Sequence, residues 1–216
     1  MKKYPGIWLF TLLAGLCLLS LPAQAQPVAG RDYKLIEPAQ PTDDPGRIEV
    51  IEFFSYACPH CNDLNPLIQK WVKDLPRDVF FKRVPVNYNP FYELMAKLFY
   101  TLDTTGDMAR LDAELFAAIH EKGLRLVSEK NISEWAVSQG VDARRFSEAW
   151  NSFSVSSKMK RADQIARGHR IQGVPAIVVD GRYQVTSASL LDLPQTTDQV
   201  IALRRAERSA APAAPK

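Results

Sequence analysis

The stretch Val50-Ile51-Glu52-Phe53-Phe54 is apolar apart from one carboxylate, and a helix signal follows it within a few residues. A run with no polar face can be satisfied only as a strand inside a sheet covered on both sides. The strand pattern extends over Arg47 to Phe54. Pro59 suits a first helical position, where a missing N–H costs nothing. Apolar residues then recur at Leu64, Leu67, Ile68, Trp71, Val72 and Leu75, one helical stripe. Pro66 removes a bond within that helix and is expected to kink it, and Leu75-Pro76 ends it. Val79 to Val86 reads as a second strand, which makes a βαβ unit.

Beyond Pro90 the pattern turns helical for roughly 80 residues. Phe91, Leu94, Met95, Leu98 and Phe99 form one stripe; Met108, Leu111, Leu115, Ala118 and Ile119 form another. Trp135, Phe146, Trp150 and Phe153 mark further helices, with Gly106, Gly123 and Gly140 as turns or C-caps. Strand signals return at Ala176 to Val179 and Arg182 to Val185, joined by the hairpin pair Asp180-Gly181. Leu193 to Arg208 reads as a closing helix. Before all of this, Tyr33 to Ile36 is a short edge-strand candidate in a proline-rich lead-in. The expected organisation is α/β: one sheet domain, residues 26–88 and 169–208, interrupted by a helical domain, 89–168, with a disordered tail at 209–216.

Residues 1–25 read as a signal peptide. Lys2 and Lys3 precede an apolar stretch from Ile7 to Leu21, and Ala23-Gln24-Ala25 is an A-x-A cleavage site. An uncleaved anchor is the competing reading. Cleavage would remove Cys17 and leave 25 basic residues against 24 acidic ones, a balance with no footprint for nucleic acid. It would leave Cys58 and Cys61 as the cysteines of an exported chain. A chain of this length buries a sizeable core without staples, so these two are not needed to hold the fold.

Structural zinc needs four ligands, and one Cys pair with scattered His60, His120 and His169 does not supply them. No metal is expected. Thiol chemistry fits the pattern better. A C-x-x-C at a helix start sets the first sulfur against unsatisfied N–H groups and the positive end of the helix dipole, which favours a thiolate at Cys58. Cys61 lies one turn further in, so Cys58 is the attacked sulfur and Cys61 the resolving one. Pro59 and His60 tune the pair, His60 through a hydrogen bond or a positive charge near Cys58. A Cys58 that leaves easily as thiolate makes its disulfide an oxidant. "GVPAIVVDG", residues 173–181, places Pro175 at the start of an apolar strand, where local sequence alone favours a trans bond.

"EFFSYACPHC", the helical insertion and "GVPA" together resemble the DsbA family of periplasmic thiol oxidases, with a thioredoxin-like fold carrying an inserted helical domain. The resemblance implies that Val174-Pro175 is a cis-proline loop offering backbone groups to an unfolded peptide. It implies unfolded secreted proteins with free thiols as substrates, a DsbB-like membrane quinone reductase as reoxidising partner, a monomer in the periplasm, and no cofactor besides the Cys58–Cys61 disulfide. It gives Glu52 a role in proton exchange at the buried cysteine. The family's nearby lysine falls on Arg83, which cannot give up its proton. Glu52 and Arg83 are therefore either part of a proton path or a structural ion pair. A disulfide isomerase or reductase of the same fold, and a chaperone-like binding module with an incidental C-x-x-C, are the competing functions.

Overall fold

The computed structural model describes residues 26–210. The signal-peptide reading and Cys17 lie outside the described residues. Five strands, β1 (Tyr33–Leu35), β2 (Ile48–Phe54), β3 (Val79–Pro85), β4 (Ala176–Val179) and β5 (Tyr183–Val185), form one sheet in the order β1-β5-β4-β2-β3. β2 and β3 run parallel, as a βαβ unit requires, and the other pairs are antiparallel. Helix α1 (Pro59–Lys73) makes the crossover and continues unbroken past Pro66. Between β3 and β4 come α2 (Pro90–Thr105), α3 (Met108–His120), α4 (Glu129–Ser138), α5 (Ala143–Trp150) and α6 (Phe153–Gly168). A short 3₁₀ turn, Leu190–Asp192, leads into α7 (Leu193–Ala210).

All seven residues of β2 are buried, which is what its apolar sequence demanded. Ile48 and Val50 join a core with Leu64 and Ile68 of α1 and Val200 and Ile201 of α7. Ile51 and Phe53, on the opposite face, pack with Ala162 and Ala166 of α6. So α6 belongs to the insertion by sequence but covers the sheet in space, because that face would otherwise expose β2 to water. A third core joins Phe54, Tyr56, Cys58 and Cys61 to residues of α2 to α5 such as Leu98, Leu111 and Phe116. The cysteines thus sit at the seam between sheet and inserted helices.

The first two residues of the expected tail are helical instead. Ser209 and Ala210 close α7, with the Ser209 hydroxyl donating to the Arg205 carbonyl, and residues 211–216 lie outside the described part. Gly106 caps α2 in the left-handed conformation (φ 83°), as its sequence position suggested. At the β4–β5 hairpin Asp180 (φ 54°) and Gly181 (φ 63°) both have positive φ. A Cβ on Gly181 would lie 2.1 Å from the Gln40 carbonyl oxygen. Gly181→Ala is therefore expected to cost about 2–4 kcal/mol, from strain and from displacing the lead-in segment. Gly173→Ala, where a Cβ would meet nothing within 4 Å, is the control and should cost less than about 1 kcal/mol in the same urea titration.

Candidate active site

Helix α1 starts without the usual cap. Cys58 is its N-cap residue, with extended backbone (φ −96°, ψ 118°), and no side-chain oxygen bonds to the first turn, which also holds no acidic residue. Asp and Ser at such positions accept orphan N–H groups. Here the N-cap residue is a cysteine whose side chain makes no capping bond. Both cysteines are free thiols and buried, Cys58 6% exposed and Cys61 fully buried.

These surroundings hold Cys58 well below an ordinary thiol, from 9.0 to about 6. The main cause is a hydrogen bond from the Cys61 thiol. Burial opposes it, and the backbone N–H groups of Cys61 and His60 and then the charge of His60 add to it. Cys61 moves the other way: its bond to Cys58 and its burial push its thiol up. One proton is thus shared unequally, and the outer sulfur carries the charge. The His60 imidazole is mostly exposed and faces Asp63, Nδ1 to Oδ2 3.8 Å. Its contribution comes more through its backbone N–H than through its ring.

The Val174–Pro175 bond is cis, against the trans bond that local sequence favoured. The Val174 carbonyl oxygen lies 3.4 Å from the Cys58 sulfur. This loop meets the helix start from 116 residues away in the chain. The Tyr88 hydroxyl donates to the Ile171 carbonyl (3.3 Å) just ahead of the loop, and the ring stacks on Tyr92. A groove of about 540 Å³ is lined by Val174 and Pro175 together with Lys34, Arg170 and Gln184, but by neither cysteine.

Glu52 and Arg83 are opposite one another in the β2–β3 register. Arg83 Nε is 2.8 Å from Glu52 Oε2, and the guanidinium lies 3.7 Å from the centre of the Phe54 ring. Burial pushes the Glu52 carboxyl up; Arg83 pulls it back and Asp112 pushes it further up. The charge of Glu52 in turn raises the Cys61 thiol. Asp112 of α3 and the Tyr56 hydroxyl complete this buried polar group, Gln69 and His120 bond to it from less buried positions, and of the four only Asp112 is marked by its place in the sequence. It lies four residues after Met108 and three before Leu115, inside an apolar stripe, where a carboxylate needs partners. On the other sheet face a second buried acid, Glu49, pairs with Lys82 (2.9 Å).

A strand, a helix started by a stabilised thiolate with a second thiol one turn in, and a proline loop against the first sulfur define a thioredoxin-fold thiol:disulfide oxidoreductase. A family model described as "DSBA-like thioredoxin domain" matches residues 68–196. The chain is 41% identical over 174 residues to the thiol:disulfide interchange protein DsbA of Bordetella parapertussis, covering 81% of this chain and 82% of that protein. A match over 81% of 216 residues cannot leave Cys58 and Cys61 outside it. DsbA of Azotobacter vinelandii is 35% identical, over 92% of this chain and 96% of that one. The crystal structure of the oxidoreductase DsbA from Xylella fastidiosa superposes with a TM-score of 0.79 at 33% identity, covering 84% of this chain and 99% of that chain. The chain belongs to the DsbA family.

Two substitutions separate the causes acting on Cys58. Cys61→Ala removes the largest of them and should move the thiolate inflection, followed by absorbance at 240 nm, upward from about 6. His60→Ala should raise it less. A larger rise in His60→Ala would reverse the order of causes.

Proposed function

We propose that the chain works as an oxidase: its Cys58–Cys61 disulfide is donated to reduced, extended proteins exported to the periplasm, promoting their oxidative folding. A client thiolate attacks the Cys58 sulfur, the bond to Cys61 breaks, and its electron pair goes to the Cys61 sulfur. A second client thiolate then attacks the client sulfur of the mixed disulfide, and Cys58 leaves as thiolate. The client gains one disulfide, and the chain holds the two electrons as a dithiol. The single observation supporting this direction is the stabilised Cys58 thiolate, which makes Cys58 a good leaving group and favours the reduced form.

On this reading the signal is cleaved after Ala25, the monomer acts in the periplasm, and a DsbB-like membrane quinone reductase restores the disulfide. The disulfide is the one redox group the reaction uses. Pro59 starts the helix without an N–H of its own, and Val174 and Pro175 offer backbone groups to the client beside Cys58. Residues 89–168 form an inserted helical domain, of which α2 to α5 pack around the cysteine pair and α6 on the sheet. Glu52 exchanges a proton with Cys61. Support for that role is the full burial of Glu52 and the rise that its charge imposes on the Cys61 thiol.

Stability tests the direction. A Cys58 thiol lowered on folding contributes stability to the reduced form that is fully present above its unfolded value of 9.0 and is lost as pH falls through about 6. The reduced protein should melt above the oxidised one at pH 7, and the gap should widen from about pH 6 to about pH 9. A higher melting temperature for the oxidised form would point to a reductase. Activity surviving in Cys58→Ser would point to a binding module.

A further inference from the structure

Two buried carboxylates share one guanidinium, and they share it unequally. Asp112 receives hydrogen bonds from Arg83 Nη1 (2.6 Å), the Tyr56 hydroxyl (2.5 Å) and the Gln69 amide (2.9 Å). Neither oxygen of Glu52 has a hydrogen-bond partner among the described residues. Its contact with Arg83 Nε, at 2.8 Å, is an ion pair in which the N–H is not aimed at the oxygen. The two acids are similarly buried, with 0% of the Glu52 side chain and 7% of that of Asp112 exposed. The rings of Phe54 and Phe116 flank the guanidinium, which is directed toward α3.

We propose that Asp112 is a positioning residue for thiol–disulfide exchange: by drawing the Arg83 guanidinium onto α3, it leaves Glu52 as the buried acid free to give a proton to the Cys61 sulfur and to take it back. The inference rests on the reading of Glu52 given above. When the Cys58–Cys61 bond breaks, the electron pair lands on Cys61, and the proton comes from the Glu52 carboxylic acid. A carboxylate is left beside Arg83, which stays a cation throughout. On reoxidation by a partner's disulfide, that carboxylate takes the proton from Cys61, whose sulfur then attacks the mixed disulfide on Cys58. An Arg83 paired fully with Glu52 would hold it as a carboxylate with no proton to give.

The charged and titratable groups facing Glu52 all bear on this. They are Arg83 from β3, Asp112 from α3, Tyr56 from the β2–α1 connection and Cys61 from α1; β4 presents apolar Ile177, opposite Glu52 in the register. His120 at the end of α3 bonds to the Tyr56 carbonyl (2.8 Å) and steadies that connection.

The test is a ¹³C-carboxyl NMR titration of the reduced full-length protein, with Glu52 assigned through its loss in Glu52→Gln. Asp112→Asn should lower the Glu52 inflection by about one pH unit or more, because Arg83 turns to Glu52 and a neighbouring negative charge is gone. The pH profile of oxidation by glutathione disulfide should shift the same way, and Asp112→Glu should restore both. Tyr56→Phe keeps the ring and removes one donor from Asp112, so it should move the inflection upward; this arm stands even if Asp112→Asn does not fold. A Glu52 inflection unmoved by Asp112→Asn, or lowered by Tyr56→Phe, overturns the inference alone. A rate profile unaltered by Glu52→Gln overturns the relay and this inference together.

Discussion

The chemistry depends on a helix that begins without an oxygen to cap it. Four N–H groups at the start of any helix need partners, and α1 has neither a side-chain cap nor an acid in its first turn. Cys58 stands at the N-cap position, and the backbone N–H groups of Cys61 and His60 favour its sulfur as an anion. A disulfide at the same position carries no charge. The helix start therefore favours the reduced state, and the neighbouring Cys61 thiol adds the hydrogen bond that weighs most.

That helix start is held in place by the burial of β2. With every residue of the strand covered, its two acids cannot reach water, and each finds a base on β3 across the parallel register. Glu49 meets Lys82 on the α6 face, and Glu52 meets Arg83 on the face toward α3. The pleat alone separates the pairs, since side chains three apart in a strand point to opposite faces. The difference lies in what surrounds them. Lys82 also reaches Asp43 (2.5 Å) at the protein surface, whereas Arg83 is enclosed with aromatic rings and a second carboxylate.

Much of the fold was legible along the chain because its signals are local. The apolar β2 run, the α1 stripe, the Asp180-Gly181 hairpin and the glycine caps each rest on neighbouring residues, and each took the form its pattern implied. Boundaries were less legible. The last turn of α7 lies in an alanine-containing segment whose sequence reads as tail. The double loyalty of α6, inserted by sequence but packed on the sheet, answers to a surface created by strands far away in the chain. The pairing of the two sulfurs in C-P-H-C could be read for a similar reason: both lie at one helix start. The ranking of the groups acting on Cys58 was not visible there, because it depends on where the His60 ring and the Cys61 thiol point.

Residue order, then, determined that a thiol pair would stand at the start of a helix leaving a buried strand, since strand, proline and cysteines are consecutive and their preferences are short-range. Only the folded molecule decided which groups meet that pair. Val174, Arg83 and Asp112 come from three distant segments, and no local preference relates their positions to Cys58 or Glu52. Their effect on proton affinities arises from distances of a few ångströms in a water-excluded seam, where a carboxylate's neighbours outweigh its own chemistry.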